Sequence, residues 1–318
     1  MSGHKPRVSI GLPVFNGEKY LAEAIDSILV QTYSDFELII SDNASTDRTP
    51  EICQVCAAND ARIRYYRNSK NLGASPNFNR VFEWSSGEYF RWAAHDDLIA
   101  SDFLARCVAV LDQNPETVLC YPKATAIDEN GMFLDIYDPR PDTSSPRPHE
   151  RFRNLILSPH MALQIFGLIR ASALRKTSLM GNYPSSDEVL LAELALLGRF
   201  YEVPNRLFLT RIHPGQSTKG AFQIQRTRII WFDTSREGRI VLPTWRYFGE
   251  CLRAINRVPQ IPLERISCYL HMGRWLMNPH HLRAMGKDLL IAASQTVCSV
   301  LFRLRGHGTC AGPGRERC

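Results

Sequence analysis

Apolar and polar positions along the first two thirds of the chain predict strands and helices in turn. Runs rich in β-branched and aromatic residues predict strands at 7–15, 36–49, 63–68, 89–94, 117–128, 163–170 and 199–213. The run at 36–49 begins as a strand and continues into a polar turn. Apolar residues at helical spacing predict helices between them, at 17–32, 50–59, 75–87, 101–115 and 185–198.

This alternation predicts an α/β fold built on a parallel sheet with helices on its faces. Ligands of such sheets bind beyond the carboxyl ends of the strands. Polar clusters come directly after four of the predicted strands, at 11–17, 41–47, 67–73 and 95–97. We therefore expect these clusters to gather at one edge of the sheet.

The remainder of the chain has a different pattern. Residues 138–150 are rich in Pro, Ser and charge, which predicts a mobile loop. Beyond about residue 222 the pattern is helical and basic, and the Gly-rich C-terminal tail is predicted to be disordered. The chain thus divides into 1–222 and a helical region, 223–318.

Composition predicts a globular protein in a reducing compartment. The 318 residues are 44% hydrophobic and 22% charged, enough for a substantial core. No long apolar region typical of a secretory signal occurs at the N-terminus. The nine cysteines form no dense framework, and the one close pair, Cys53 and Cys56, lacks a second pair at zinc-site spacing. These features predict reduced thiols and a cytoplasmic location.

Charge is unevenly distributed, because residues 226–318 hold 15 Lys and Arg against 6 Asp and Glu. Such a surface can face anionic lipid, an anionic acceptor or only water. The apolar stretch 288–302 is too short to span a bilayer. It is either a surface helix at the inner membrane face, which would make the protein peripheral, or a helix packed on the protein itself. Nucleic acid is not an expected partner, since aromatic-interleaved basic motifs are missing.

Two common nucleotide-binding motifs are missing, and an acidic pair stands out. Neither a G-x-G-x-x-G turn nor a P-loop occurs, which disfavours a Rossmann dehydrogenase and a P-loop NTPase. Asp96 and Asp97 follow the fourth strand, and neighbouring carboxylates favour a hard divalent cation such as Mg²⁺. The alternative is an exposed turn before the helix at 101, with Ser101 or Asp102 as its cap.

The chain resembles the family 2 glycosyltransferases through a succession of motifs between residues 6 and 218. The resemblance begins with "PVFNGEKYLAEAIDSILVQTYSDFELIISDNASTDRT", continues through "NSKNLGASPNFNRVFEWSSGEYFRWAAHDD" and resumes at "IFGLIRASAL" and "SSDEVLLAELALLGRFYEVPNRLFLTRIHPGQST". It implies a GT-A fold, here with a mostly helical C-terminal extension. It also implies an enzyme that uses a nucleotide-diphosphate sugar and Mg²⁺ or Mn²⁺.

The resemblance assigns roles residue by residue. Asp42 matches the residue that binds the nucleotide base, and Asp96 and Asp97 match the metal motif. The family's acid two positions before Asp96 is replaced by Ala94, which puts the ribose or metal contact made there in doubt. The full nucleotide-sugar set implied is Pro13, Asn16, Asp42, Asn71, Gly73, Asn77, Asp96, Arg211 and His213, of which Arg211 and His213 are expected to close over the diphosphate.

Asp187 matches the family's catalytic base, although the usual Glu before it is Ser186. A competing role for Asp187 is the N-cap of its helix. The reaction implied is inverting sugar transfer to the hydroxyl of a glycan or a lipid-linked acceptor, in surface polysaccharide, glycolipid or related glycan synthesis. Two alternatives stay open at this point: a non-catalytic module that binds sugar nucleotides or polysaccharide, and a nucleotidyltransferase.

Overall fold

The computed structural model describes residues 5–137, 141–216, 225–236 and 239–306, and it confirms the alternation of strands and helices. The strands in these ranges are β1 (Val8–Val14), β2 (Phe36–Asp42), β3 (Ile63–Arg67), β4 (Tyr89–Trp92), β5 (Leu98–Ile99), β6 (Thr117–Ile127), β7 (Phe133–Tyr137), β8 (Leu168–Arg170) and β9 (Arg199–Arg211). The helices are α1 (Leu21–Leu29), α2 (Thr49–Asn59), α3 (Ala74–Glu83), α4 (Phe103–Gln113), α5 (Pro148–Leu157), α6 (Ala171–Leu174), α7 (Ser186–Leu197), α8 (Gln225–Phe232), α9 (Pro243–Arg257), α10 (Pro262–Met277) and α11 (Pro279–Gly306).

The strands of the described residues form one mixed sheet in the order β3-β2-β1-β4-β8-β6-β9-β5, with β7 paired to β6. Strands β1 to β4 are mutually parallel, and β6 is parallel to β9. Every residue of β1 and β2 is buried, as expected for strands covered by helices on both faces. The prediction of a parallel α/β core is therefore confirmed, with antiparallel additions at β5, β7 and β8.

Strands β6 and β9 are long and remain paired as far as Ile127 and Arg211. Along its second half β6 also pairs with β7, while the end of β9 pairs with β5. The two residues of β5 come directly after the acidic pair Asp96 and Asp97. This short pairing therefore brings the acidic pair to the end of β9.

The C-terminal helices share a core with the α/β part. Helices α5, α7, α9 and α10 contribute to one apolar cluster that includes Phe152, Ile156, Val189, Leu196, Tyr247, Cys251, Cys268, Met272 and Trp275. An ion pair adds to this contact, since Arg257 Nη1 lies 2.5 Å from Oε1 of fully buried Glu193. A division at residues 1–222 and 223–318 thus stays a proposal about chain organisation, because the two parts are packed together.

The stretch 288–302 lies within α11, which packs on α9. Thr244 donates its backbone N–H to Asp288 at 2.8 Å, and Trp245 donates its indole N–H to the carbonyl of Met285 at 3.2 Å. Leu289 and Leu290 on the same helix are exposed. No helix among the described residues is long and apolar enough to cross a membrane.

Several predicted boundaries are wrong. Residues 163–170 contain a strand only at β8, after a 3₁₀ helix at Leu163–Phe166. The predicted loop 138–150 includes the start of α5, because Pro148 opens a helix whose Phe152 and Ile156 face the core. Residues 138–140 lie outside the described residues, and so does most of the predicted disordered tail, 305–318, whose first two residues instead belong to α11.

Candidate active site

The polar clusters gather at one edge of the sheet, as predicted. Because β1 to β4 are parallel, their carboxyl ends meet at that edge. The backbone continues the ladder there, with Asn43 donating to Val14, Asn68 to Asp42 and Ala93 to Gly11, each at 2.8 Å. The loops after all four strands are therefore held next to one another.

Three of the five non-glycine residues with positive φ in the described ranges lie in these loops or in the turn before α7. Asn16, Ala44 and Ser185 adopt left-handed conformations with φ of 52°, 62° and 63°, which cost non-glycine residues energy. Two hydrogen bonds hold Asn16 in place. The backbone N–H of Thr46 donates to Oδ1 of Asn16 at 2.8 Å, and the backbone N–H of Asn16 donates to the hydroxyl of Ser45 at 2.9 Å. Such strain is typical of functional loops.

The acidic pair is joined directly to the end of β9. Asp97 Oδ1 accepts the backbone N–H of Arg211 at 2.8 Å, and Asp96 Oδ2 lies 2.9 Å from Nε2 of His213. Both bonds follow from the pairing of β5 with β9. The structure therefore brings together Asp96 and His213, two residues predicted from separate motifs.

The two carboxyl groups differ in their surroundings. Burial and the neighbouring charge of Asp96 raise the pKa of Asp97 to about 8, against the lowering effect of hydrogen bonds from the Arg211 N–H and Thr210. Burial also acts to raise the pKa of Asp96, but the charge of His95 and the hydrogen bond from His213 outweigh it and lower that pKa. Asp96 is thus the carboxylate of the pair that is kept ionised, whereas Asp97 ties the loop to β9.

Arg211 holds the acidic loop in place. Its side chain is 1% exposed and donates to the carbonyls of Asp96 at 2.9 Å and Glu129 at 3.0 Å. It also forms an ion pair with Glu23 at 2.7 Å and lies 4.5 Å from the ring centroid of Tyr20. The predicted contact of Arg211 with a diphosphate stays a prediction that this arrangement does not support, because the guanidinium is directed at protein groups.

Asp42 occupies the end of β2 and is fully buried. Its Oδ1 accepts the N–H of Ser45 at 2.8 Å, and its Oδ2 accepts the Tyr65 hydroxyl at 3.1 Å and lies 3.2 Å from Arg67 Nε. Pro13 lies beside it, in register with Ser41 on the adjacent strand. The predicted base contact of Asp42 stays a prediction, and Arg67, half of whose side chain is exposed, is the group beside it that reaches solvent.

The loop after β3 contains the other predicted nucleotide-side residues. Asn71 Oδ1 accepts the side-chain N–H of Asn43 at 2.9 Å and the N–H of Gly73 at 2.8 Å. Gly73 has φ +88°, and a Cβ there would lie 2.7 Å from the carbonyl of Phe232. Asn77 is buried and bonded to Ser41 through both its Oδ1 and its Nδ2. These contacts shape the loop, and direct nucleotide contacts of the three residues stay predictions.

Asp187 lies in the first turn of α7, which follows a segment anchored on α3. The segment before it is bonded to the start of α3, because Ser75 donates its hydroxyl to the carbonyl of Gly181 at 2.6 Å and Asn79 its amide to that of Met180 at 2.9 Å. Helix α3 itself begins just after the β3 loop. The alternative role of Asp187 as the N-cap is wrong, since Ser185 is the N-cap residue.

Sequence reasoning missed three contributors to this site. Tyr20 packs on Arg211 and also on the His213 ring, with centroids 5.0 Å apart, although its spacing alone indicated a core position of α1. Glu23 was read from the sequence only as part of that helix, and it neutralises buried Arg211. The His95 ring lies against Gly17, where a Cβ would come within 2.7 Å of it. Gly17, in the predicted loop after the first strand, was the one residue in the sequence that could have indicated this contact.

A protein-only metal cage is missing from the described ranges, where no three His, Cys, Asp or Glu side chains cluster as ligands. Asp96 and His213 form a pair instead. Mg²⁺-type ions are commonly bound through one or two carboxylates, with water and substrate phosphates completing the shell. Asp96 and His213 therefore suit an ion that is bound together with a phosphorylated substrate.

Comparison with known proteins identifies relatives over most of the chain. A Rickettsia prowazekii protein described as an uncharacterised glycosyltransferase is 28% identical over 314 residues, covering 96% of this chain and 93% of the relative. A Rickettsia bellii glycosyltransferase, also uncharacterised, is 35% identical over 144 residues, but the match spans 45% of this chain and 20% of that protein. The chain thus matches about a fifth of the length of the second relative.

Two solved structures with the same fold are described with sugar nucleotides. Staphylococcus aureus TarS 1–349 in complex with UDP-GlcNAc superposes with a TM-score of 0.62 at 14% identity, covering 91% of this chain and 81% of TarS 1–349. The mannosyltransferase PcManGT from Pyrobaculum calidifontis, in complex with GDP-Man and Mn²⁺, gives 0.57 at 17% identity, with 95% and 81% covered. At these identities the likeness shows the fold, which confirms the predicted GT-A type.

The family model for glycosyl transferase family 2 matches residues 9–176. That range exceeds half of the 318 residues and contains β1 to β4, the acidic pair and the loops at their carboxyl ends. It favours a transferase over the two alternatives that the sequence left open. With more than half its length matched and a GT-A fold around the site, the chain belongs to glycosyltransferase family 2 and is a glycosyltransferase.

Proposed function

We propose that the protein transfers a sugar from a nucleotide-diphosphate sugar to an acceptor hydroxyl, with inversion at the anomeric carbon. The acceptor is a glycan or a lipid-linked sugar, in the synthesis of a surface polysaccharide, glycolipid or related glycan. The observation that carries this proposal is the contact of Asp96 with His213 at the edge of the sheet where β1 to β4 end. It supports a site in which Asp96 would bind the cation and Asp187 would face the acceptor.

A nucleotide-diphosphate sugar as donor is supported by two neighbours of the same fold. TarS is described with UDP-GlcNAc, and PcManGT with GDP-Man and Mn²⁺. Both donors combine a diphosphate with a sugar, although base and sugar differ. The shared feature is the diphosphate, so we extend the donor class to this chain and leave the sugar to experiment.

The residues of the site fit a divalent cation. Asp96 Oδ2 and His213 Nε2 lie 2.9 Å apart, where they now share a hydrogen bond, and carboxylate oxygens and imidazole nitrogens are both groups that divalent metal ions bind. These two residues would hold Mg²⁺ or Mn²⁺, and the bound ion would neutralise charge on the departing diphosphate. The tie of Asp97 to β9 and the bonds from Arg211 to the loop carbonyls would keep Asp96 oriented.

Asp187 is assigned the role of general base. A base positioned within reach of the acceptor hydroxyl accepts its proton while the oxygen attacks the anomeric carbon, which contributes roughly 10²–10⁴-fold in rate. Its place in the first turn of α7 suits a negative charge, since the helix dipole stabilises anions there. Inversion follows from direct attack on the face opposite the leaving diphosphate.

The test is the substitution Asp187→Asn, measured in a screen of UDP-, GDP- and dTDP-sugars with Mn²⁺. We expect transfer to fall by at least about 10²-fold while donor affinity stays within about twofold. Asp26→Asn, at an exposed position of α1, is the matched control and should leave transfer unchanged. Equal loss of donor affinity and transfer in Asp187→Asn would contradict the assignment of the base.

A further inference from the structure

Helix α10 carries an apolar stripe on the side that faces away from the protein. Its buried residues are Cys268, His271, Met272 and Trp275, which pack towards α5 and α9. The opposite side presents Leu263, Ile266, Leu270, Gly273 and Met277, at a spacing of three or four residues. We call these five residues the α10 stripe. At a rise of about 1.5 Å per residue, the stripe from Leu263 to Met277 is about 21 Å long.

The α10 stripe is strongly exposed. Leu263, Ile266, Leu270 and Met277 are 71%, 55%, 63% and 69% exposed. At Gly273 a Cβ would meet nothing within 4 Å, so that position is open to solvent as well. Single exposed apolar residues are ordinary, but a continuous row along one helix marks an interaction surface.

The next helix extends this surface. Helix α11 also packs on α9, through Met285 and Asp288, so its outward side also faces away from α9. On that outward side Leu290 is 74% exposed. Leu282 and Leu289, 51% and 48% exposed, border the buried Met285, because they lie three residues before it and four residues after it. The two helices together form an apolar face on the C-terminal region.

The charges around this face are positive. Arg274, Arg283 and Lys287 are exposed on α10 and α11. The two carboxylates between residues 258 and 306 are both engaged elsewhere: Glu264 accepts the N–H of His149 at 3.0 Å, and Asp288 that of Thr244 at 2.8 Å. The apolar face is thus flanked by cations without a balancing exposed acid.

We propose that this face binds the surface of an anionic lipid bilayer. Apolar side chains enter the headgroup boundary, and flanking Arg and Lys are attracted to anionic headgroups, each by an amount worth about fivefold in affinity. A second copy of this chain is the less suitable occupant, because a two-fold interface uses the same surface on both copies and would gather Arg274, Arg283 and Lys287 of each in one contact. The inference deepens the proposed glycan synthesis by giving the enzyme a membrane surface to work on.

The experiment is vesicle flotation of the full chain without donor or acceptor, so its result is independent of the transfer assay. Phosphatidylcholine vesicles are compared with vesicles that also contain phosphatidylglycerol. We expect binding to the anionic vesicles, weakened by salt, and a loss of roughly tenfold or more in the double variant Leu263→Gln with Leu270→Gln. The control is Val30→Gln with Val55→Gln, two residues 63% and 60% exposed on the α/β part, and it should bind like the wild type.

A second variant, Arg274→Gln with Lys287→Gln, changes only exposed side chains and should reduce binding to the anionic vesicles by about fivefold for each charge removed. The proposal would be overturned if the wild type did not float with anionic vesicles. It would also be overturned if the leucine variant bound these vesicles as strongly as the wild type. A dimer in sedimentation that the leucine variant abolishes would assign the face to a second copy and would likewise overturn the proposal.

Discussion

Replacing Arg211 with Lys separates two roles for this residue. In the structure the buried guanidinium donates from Nε to the carbonyl of Asp96 at 2.9 Å and from Nη1 to that of Glu129 at 3.0 Å. The two bonds come from different nitrogens of a planar fork, and the single ammonium nitrogen of a lysine cannot reproduce both. Arg211→Lys should therefore leave at least one of these partly buried carbonyls without its charged donor.

The magnitude follows from these contacts. A hydrogen bond from a charged donor contributes about 1.5–3 kcal/mol, and a partly buried carbonyl left unpaired adds about 1 kcal/mol, the low end of the range for buried groups. The ion pair with Glu23 adds little, since that carboxylate is 59% exposed. We expect Arg211→Lys to lower the free energy of unfolding by about 2.5–4 kcal/mol in urea denaturation.

The matched control is Arg199→Lys, at the start of the same strand, where the arginine side chain is 40% exposed and pairs with Glu116 at 3.7 Å. It should change the free energy of unfolding by less than about 0.5 kcal/mol. If Arg211→Lys also changed stability by less than about 0.5 kcal/mol, and only raised the donor KM, Arg211 would act on the diphosphate and our structural interpretation would be refuted.

Three further substitutions test other parts of the structure. Gly73→Ala places a Cβ 2.7 Å from the Phe232 carbonyl at φ +88°, and should lower the free energy of unfolding in urea by more than about 1 kcal/mol. Glu193→Ala removes the fully buried partner of Arg257 and two hydrogen bonds from Ser178, and it should lower the free energy of unfolding by roughly 3–5 kcal/mol in the same assay. Its control, Glu51→Ala at an exposed position, should lower that free energy by less than about 0.5 kcal/mol. Burial and the neighbouring charge of His149 lower the pKa of His271 to about 4. The folded state therefore binds a proton at His271 only at a lower pH than the unfolded state does. Its contribution to stability is full above about pH 6.5 and is lost as the pH falls towards 4, and His271→Phe should flatten the pH dependence of the unfolding midpoint in that window.

Most of the parallel core was predictable because local signals agreed with the fold. Strands β1 and β2 are short β-rich runs, each followed by a polar turn, and their carboxyl ends meet at the predicted edge. The grouping of Asp42 and Asp96 at one edge needed only this topology. Helix α7 lies within a residue of its predicted bounds, since Ser and Asp precede its apolar run and Gly198 ends it.

The role of Arg211 was not predictable, because it depends on a non-local pairing. Strand β5 has two residues, too few for a period, yet its pairing with β9 decides which groups surround the guanidinium. Strand β7 was missed because most of its residues are exposed and show no alternation of apolar and polar positions. Helix α5 was missed because its Pro- and Ser-rich approach indicated a loop, while burial against α7 and α10 stabilises the helix.

The central claim is that Asp96 and His213 hold a divalent cation for a nucleotide diphosphate, and calorimetric titration tests it most directly. UDP, GDP and dTDP are each titrated into the wild type with and without Mn²⁺, and the tightest is repeated on Asp96→Ala and His213→Ala. We expect one nucleotide to bind in a Mn²⁺-dependent way and each substitution to weaken that binding by about tenfold or more. Binding of equal strength without Mn²⁺, and in both variants, would contradict the account.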